Sequence, residues 1–148
     1  MTFSARRAVL TGESAPPLGR VPQTKGCSVA VRALRGAIQV DANDRDQILE
    51  GIRELITALF ERNDTTADDV ISIIFTATPD LTAEFPAYAA RLLGFDDVPL
   101  LCSVEIDVPG AMPRVLRLLA HVETAKARPE LHHVYLRGAA ALRRDLPA

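Results

Sequence analysis

The sequence predicts one globular domain of mixed α and β structure. Three observations support this fold class. The chain has 148 residues, which is about the size of one domain with its own core. Hydrophobic residues make up 48% of it and charged residues 24%, as in globular proteins rather than disordered or fibrous ones. Apolar segments of strand-like composition alternate with helical patterns, and one of these helices is long.

Composition also argues against several classes of function. The formal net charge is −2, and no basic stripe with interleaved aromatic residues occurs, so the signature of a nucleic-acid-binding protein is missing. No apolar run reaches the roughly 20 residues that cross a bilayer, and we expect no membrane contact. Cys27 and Cys102 lie far apart, without metal-binding or disulfide spacing, which favours the cytoplasm.

The first elements follow in chain order. Residues 1–28 contain Gly, Pro, Ser and Thr throughout without periodicity and are predicted to be a disordered extension. Residues 28–40 are rich in small and β-branched residues and predict a strand. Alternation along it places Arg35 at the end of an apolar row that begins at Val29, and burial statistics favour an arginine that emerges into water. Gly36 permits close approach of a ligand or another backbone.

A long helix is predicted over residues 44–62. Its N-cap candidates lie in residues 41–44, and its apolar residues recur at helical spacing as one stripe. The stripe consists of Ile48, Leu49, Ile52, Leu55, Ile56, Leu59 and Phe60. Residues 66–69 are typical of a short capped turn, and residues 70–77 of a buried strand.

The second half of the chain is less regular. A short helix is expected from about Pro86, and Gly94 suits its C-cap. Residues 98–108 predict a strand that a Pro-Gly turn ends. Residues 112–122 fit both helical and alternating spacing, and periodicity alone favours a helix. Residues 133–142 predict a last strand before a loose tail.

One stretch is a candidate site on its residues alone. Cys102, Glu105 and Arg117 interrupt residues 98–117, which are otherwise almost wholly apolar. A carboxylate or guanidinium in a dry environment needs a partner. These groups therefore predict a pocket for a charged ligand.

The sequence offers no candidate for covalent or metal catalysis. It contains no phosphate-binding glycine loop and no nucleophile elbow. His132 and His133 are adjacent, so on a strand they face opposite ways and make a poor metal pair. We therefore assign no metal site.

Four segments together resemble a known family. In chain order they are residues 31–37, 76–87, 98–108 and 133–136, with the sequences VRALRGA, TATPDLTAEFPA, VPLLCSVEIDV and HVYL. Their order and separations resemble the monofunctional bacterial chorismate mutases of the trimeric α/β type. The resemblance covers about residues 29–146, and we assign residues 29–148 to a chorismate mutase domain.

The resemblance implies an α/β (α+β) fold, in which one long helix packs on a mixed β-sheet. It also implies a homotrimer that forms a pseudo α/β barrel, with three active sites between neighbouring chains. The family converts chorismate to prephenate, on the route to phenylalanine and tyrosine, and uses no cofactor. Residues 114–122 are now predicted to form a strand, because the resemblance outweighs their ambiguous periodicity. The first strand would begin near Val29, so residues 1–28 are an upstream extension or an over-called start.

The resemblance further implies roles for individual residues. Arg117 matches a strand arginine that donates to the ether oxygen and to the side-chain carboxylate of the substrate. Arg35 and Tyr135 match residues that hold a carboxylate, and Glu105 and Cys102 match residues that contact the ring hydroxyl. The reaction is an intramolecular rearrangement that needs no nucleophile or metal. Arginines that restrain the substrate and stabilise charge on its oxygen suit this chemistry.

Further matching residues line the pocket. The neighbouring chain is expected to contribute Phe85, Ala87, Arg91, Leu100 and Leu101. The tail residues Leu142 and Arg143 match positions that close over the pocket. Some family members carry a lysine near the entrance where this chain has Tyr88, which removes a positive charge. The alternative function is a non-catalytic trimer that binds a small carboxylate metabolite through the same arginines.

Overall fold

The computed structural model describes residues 28–143. The predicted extension lies outside this range except for Ser28, and so do residues 144–148 of the tail. The strands are β1 (Ala30–Gln39), β2 (Val70–Ala77), β3 (Leu100–Val104), β4 (Val115–Thr124) and β5 (Val134–Leu136), and the α-helices are α1 (Arg45–Asn63) and α2 (Pro86–Leu92). Short 3-10 helices cover Ala67–Asp69, Arg128–Glu130 and Arg137–Leu142.

All five strands form one mixed sheet in the order β3-β2-β4-β1-β5. The central strand β4 pairs antiparallel with both β1 and β2. The edge strands β5 and β3 pair parallel with β1 and β2, respectively. The long helix α1 packs on this sheet, so the predicted fold class is confirmed.

Helix α1 begins close to its predicted start because Asp44 caps it. The Asp44 carboxylate accepts a hydrogen bond from the backbone N of Gln47 at 3.1 Å, which satisfies one of the amides that the first turn leaves without a partner. At the other end, Asp64 adopts a φ of 51°, a left-handed conformation typical of helix ends. The predicted apolar stripe lies in the core, where Ile52 and Leu55 are completely buried.

Two glycines allow α1 to lie close to the sheet. A Cβ on Gly36 of β1 would lie 3.0 Å from Leu55 Cδ1, and a Cβ on Gly51 of α1 would lie 2.8 Å from Val40 Cγ1. Both contacts are closer than the 3.5 to 4.0 Å at which carbon atoms attract best. The close approach at Gly36 is therefore made by a side chain of α1.

The two faces of the sheet are covered differently. The face towards the core is buried along β4, where it consists of Leu116, Leu118, Ala120 and Val122. The opposite face of β4 is less covered and consists of Arg117, Leu119, His121 and Glu123. The predicted row from Val29 to Arg35 lies on this second side, where Val29 is 62% exposed and Val31 57%. We call this second side the open face.

The helix that periodicity favours over residues 112–122 is wrong. Residues 115–122 of this segment belong to the strand β4, as the family resemblance implies. The relevant pattern is the alternation of buried and less buried residues along β4. Helical spacing arises there by coincidence, because apolar residues occur on both faces of a central strand.

The predicted last strand, residues 133–142, is too long. β5 ends at Leu136, and Arg137 adopts a φ of 52°, which does not continue a strand. The next residues form a 3-10 helix. Their Gly-Ala-Ala-Ala sequence lacks the β-branched and aromatic residues that favour strands.

The predicted strand over residues 98–108 is also too long, since β3 ends at Val104. β3 is an edge strand, and β2 is its partner in the sheet. β2 ends at Ala77, which lies opposite Val104. Beyond this pair the edge strand has no neighbour along which to continue.

Other sequence predictions are confirmed. β2 has the predicted bounds, and α2 begins at Pro86. α2 ends at Leu92, and Gly94 follows it with a φ of 94°, a conformation that suits glycine at a helix end. Within residues 28–143, no helix is both long enough and apolar enough to span a membrane.

Candidate active site

Strand register brings several predicted site residues together on the open face. Arg117 of β4 lies opposite Ala37 of β1 and Thr76 of β2. Ala37 in turn lies opposite Tyr135 of β5, so Arg117 and Tyr135 flank a small side chain. Since neighbouring strands lie ~4.8 Å apart, these two residues are about 10 Å from each other. Arg35 precedes Ala37 by two residues and faces the same side.

Glu105 forms an ion pair with Arg117 at this row. The Arg117 Nε lies 2.7 Å from Glu105 Oε1, and the Thr76 hydroxyl donates to the same oxygen at 2.6 Å. β3 has already ended here, but the backbone N–H of Glu105 still donates to Ala77 O at 2.9 Å. The Glu105 carboxylate is therefore held by its backbone and by two polar side chains.

The Arg117 guanidinium uses only part of its hydrogen-bonding capacity. Its Nε is buried and has no hydrogen-bond partner among residues 28–143, so the short contact with Glu105 is an ion pair whose N–H is poorly aligned. The side chain is 41% exposed, and this exposure belongs to atoms other than Nε. Arg117 thus has its charge balanced, while donors remain for a ligand.

Arg35 is exposed on the open face beside β5. Its backbone N–H donates to His133 Nδ1 at 3.1 Å, so this nitrogen must carry a lone pair. Burial lowers the pKa of His133 below its ordinary value, and the positive charges of Arg35, Arg143 and His132 lower that pKa further. His133 is therefore a neutral acceptor at the β1–β5 edge. Within the described range, no cluster of three or more His, Cys, Asp or Glu residues could hold a metal ion.

The predicted tail residues lie at the Tyr135 end of the row. A small buried cluster on the open face is formed by Ala37, Val115 and Ala139, and Met112, Tyr135 and Leu142 pack against it. Leu142 thus reaches the cluster from the 3-10 helix that follows β5. Arg143 lies close enough to His133 to lower its pKa. The end of the described chain therefore covers the open face next to Tyr135.

Cys102 lies apart from Glu105 and Arg117. Cys102 and Phe85 line one cleft, whereas Glu105 and Arg117 line another. The reason is the alternation of β3: Cys102 lies opposite the fully buried Phe75 and packs against the core. Within one chain Cys102 and Glu105 therefore line different clefts, and their joint contact with the ring hydroxyl stays a prediction.

The polar and aromatic residues at and near α2 are exposed. Phe85, the N-cap residue of α2, is 69% exposed, and Arg91 in the last turn is also exposed. The Arg45 guanidinium lies 5.7 Å from the centroid of the Tyr88 ring. The positive charge of Arg45 therefore lies next to Tyr88, where some family members carry a lysine. Glu84 forms an ion pair with Arg45 at 2.9 Å and neutralises this charge.

The three predicted wall residues have different environments. Ala87 is 5% exposed and belongs to the core. Leu100 is partly buried and packs against the same core. Leu101 points to the other side of β3 and is 60% exposed. Within one chain, only Leu101 among these three presents a large apolar side chain to the surroundings.

Sequence reasoning missed Thr76. It placed this residue inside a buried strand and gave it no role. The available signal was weak: a hydroxyl in the otherwise apolar end of residues 70–77, two residues before a proline-containing turn. The contact with Glu105 depends on the pairing of β2 with β3, which the sequence does not display.

Comparison with known proteins finds clear relatives of this chain. A family model described as chorismate mutase type I matches residues 31–146. The chorismate mutase AroH of Thermus thermophilus is 44% identical over 117 residues, which are 78% of this chain and 96% of the relative. The chorismate mutase AroH of Bacillus subtilis (strain 168) is 38% identical over 117 residues, which are 78% of this chain and 92% of the relative.

A solved structure shows the same fold. The chorismate mutase Cth-682 from Clostridium thermocellum matches with a TM-score of 0.73 and 44% sequence identity. The match covers 74% of this chain and 98% of that chain. The family suggested by the four sequence segments is thereby confirmed, and the chain belongs to the chorismate mutase type I family.

Proposed function

We propose that this chain is a cytoplasmic chorismate mutase that rearranges chorismate to prephenate without a cofactor. Family membership supports the reaction, and one observation supports the site: the Arg117–Glu105 pair on the open face. The pair balances the charge of a partly buried guanidinium but does not use all its donors. A dianionic substrate with an ether oxygen would match those donors.

The chemistry fits such a site. Chorismate rearranges within one molecule, in which a C–O bond breaks while a C–C bond forms. No proton transfer or nucleophile is required. The protein must hold the substrate in its compact diaxial conformation and stabilise the negative charge that develops on the ether oxygen. In this proposal Arg117 stabilises that charge, Arg35 and Tyr135 hold a carboxylate, and Glu105 accepts from the ring hydroxyl.

One arginine can supply much of the acceleration. A unit cation about 4 Å from a unit anion gains roughly 4 kcal/mol at an effective dielectric constant of 20. An acceleration of about 10⁶-fold corresponds to roughly 8 kcal/mol. Only the part of the Arg117 interaction that grows in the transition state raises turnover, because the substrate is already negatively charged.

The site is proposed to form between two chains of a homotrimer. Arg117, Glu105, Arg35 and Tyr135 would come from one chain. The cleft with Cys102 and Phe85 would come from its neighbour, together with Arg91, Ala87, Leu100 and Leu101. Leu142 and Arg143 would close the pocket from the side of Tyr135. Two observations support this division: Cys102 and Phe85 line a different cleft from Glu105 and Arg117 in one chain, and the open face carries exposed apolar residues.

The direct test is a chorismate assay with purified protein. We expect the protein to accelerate the loss of the diene absorbance of chorismate without added metal or nucleotide. The Arg117→Ala variant should lower kcat/KM by several orders of magnitude while it keeps the fold and the oligomeric mass. Arg117→Lys should recover only part of the activity, because lysine keeps the charge but loses the planar fork.

The matched control is Arg53→Ala, which removes an exposed arginine of α1 that pairs only with Glu50 among the described residues. This variant should have normal activity. Near-normal turnover of a folded Arg117→Ala variant would contradict the proposed mechanism. A wild-type protein that binds chorismate without converting it would instead favour the non-catalytic binder.

A further inference from the structure

We propose that Thr76 is a positioning residue that holds Glu105 in a one-sided contact with Arg117, in which only one of the two carboxylate oxygens takes part. The inference rests on the proposed function, because it concerns how the Arg117–Glu105 pair is presented to chorismate. The Thr76 hydroxyl donates to Glu105 Oε1 at 2.6 Å, and Arg117 Nε lies 2.7 Å from the same oxygen. Oε2 takes part in neither contact.

Strand pairing places Thr76 between Arg117 and the segment that carries Glu105. Thr76 lies opposite Arg117 in the antiparallel pair β2–β4 and opposite Ser103 in the parallel pair β2–β3. The hydroxyl therefore stands on the open face, between the strand that carries Arg117 and the segment that carries Glu105. Threonine is β-branched, so its χ1 has few alternatives on a strand. The donor is thus fixed by the sheet.

The alternative arrangement explains why a donor is needed. A carboxylate and a guanidinium favour a bidentate contact through two parallel hydrogen bonds. Such a contact would engage both Glu105 oxygens and a terminal amino group of Arg117. Because the Thr76 hydroxyl anchors Oε1, it fixes the rotation of the carboxylate in which this oxygen alone contacts Arg117 Nε. Glu105 Oε2 then remains for the substrate hydroxyl, and the terminal amino groups of Arg117 remain for the ether oxygen and the carboxylate.

The test compares two substitutions of Thr76. Thr76→Val keeps the size and the β-branched shape but removes the hydroxyl. We expect kcat/KM for chorismate to fall by about 10- to 100-fold, the range for a hydrogen bond to a charged group. Thr76→Ser keeps the hydroxyl and should stay within about threefold of the wild type, since loss of one methyl group leaves the donor in place. If valine is not tolerated in the fold, Thr76→Ala serves the same comparison.

A double substitution separates positioning from a structural role. In the Glu105→Ala background, Thr76→Val should change kcat/KM by less than about twofold, because the acceptor that Thr76 positions is already lost. The matched control is Ser72→Ala, which removes a hydroxyl of β2 on the same face that contacts His121 instead. This control should behave like the wild type.

Each outcome decides the inference. Full activity of Thr76→Val, or the same loss in both backgrounds, would overturn the positioning role while the proposed function stands. Failure of the serine variant to retain activity would also overturn it. A wild-type protein that does not convert chorismate would overturn the proposed function itself.

Discussion

At the scale of single residues, the site is a series of contacts in which each group fixes the position of another. Arg117 is balanced by Glu105, and Glu105 is held by Thr76 and by its own backbone N–H. Next to β5, the His133 imidazole accepts the backbone N–H of Arg35. The positive groups therefore stand on the open face with few competing acceptors, which suits capture of a dianion.

His133 makes stability depend on pH. Its pKa in the folded chain lies below the ordinary value of 6.5, first through burial and then through the positive charge of Arg35. The unfolded chain therefore binds the proton more readily. The contribution of the neutral imidazole to stability is fully present above pH 6.5 and is lost as the pH falls below this value towards the folded-state pKa.

We expect the free energy of unfolding to decrease as the pH is lowered from 7 towards 5, and His133→Asn to flatten that decrease. Asparagine keeps an acceptor oxygen but does not titrate. Urea denaturation at several pH values measures both slopes. His121→Asn is the control, because it removes an imidazole that is not among the groups that lower the pKa of His133. An unchanged slope in His133→Asn would show that other groups cause the pH dependence.

At the scale of elements, the pairing of strands decides which side chains meet. Ala37 is important because its small side chain leaves room between Arg117 and Tyr135. Because β2 ends at Ala77, the segment after Val104 leaves the sheet. The Glu105 side chain can then reach Arg117, while the Glu105 backbone N–H remains hydrogen-bonded to Ala77. Helix α1 supports this arrangement from the other side through Leu55 and Gly36.

The cap of α1 contributes to this support. Replacement of Asp44 by alanine removes the acceptor for the Gln47 N–H and should lower the free energy of unfolding by about 1 kcal/mol. Activity at 25 °C should be unchanged, because Asp44 is outside both clefts. Urea denaturation at one fixed protein concentration measures the change. Asp46→Asn, in the same turn but without a capping bond, should cost less; an equal loss would show that charge rather than capping is responsible.

At the scale of the whole molecule, exposed apolar residues support the proposal that the chain works as a trimer. Val31 and Leu101, both on the open face, are each more than half exposed. Within residues 28–143 no element covers these two side chains. Exposed apolar side chains on an uncovered sheet face are typical of a protein interface. A trimer that buries the open face would join the two sets of site residues.

Leu119 tests this assembly. It lies on the open face of β4 opposite Arg35 and Ile74 and is only partly buried in one chain. Leu119→Glu should leave the chain folded but convert the proposed trimer to monomers, because a carboxylate would be placed in its apolar interface. Activity should be lost at the same time, since each proposed site needs two chains. Sedimentation and the chorismate assay measure the two effects.

The control for this change is Thr57→Glu, which adds the same charge on the exposed side of α1. It should leave both mass and activity unchanged. A monomeric Leu119→Glu variant with full activity would show that the site is complete within one chain.

The sequence by itself determined the elements that depend on local pattern. The stripe of α1, the cap at Asp44, the strand β2 and the start of α2 all follow from neighbouring residues, because periodicity and capping act over a few positions. The four segments with their spacing also determined the family. Arg117 and Glu105 were identifiable because charged groups inside apolar sequence are costly unless they are paired.

Only the tertiary structure decided which of these residues meet. The pairing of Thr76 with Arg117, the separation of Cys102 from Glu105 and the ends of β3 and β5 depend on register between strands far apart in the chain. Residues 112–122 illustrate the reason: their local pattern fits a helix, but the sheet on both sides makes them a strand. Contacts between distant segments override local preference because they bury more apolar surface than a local pattern can.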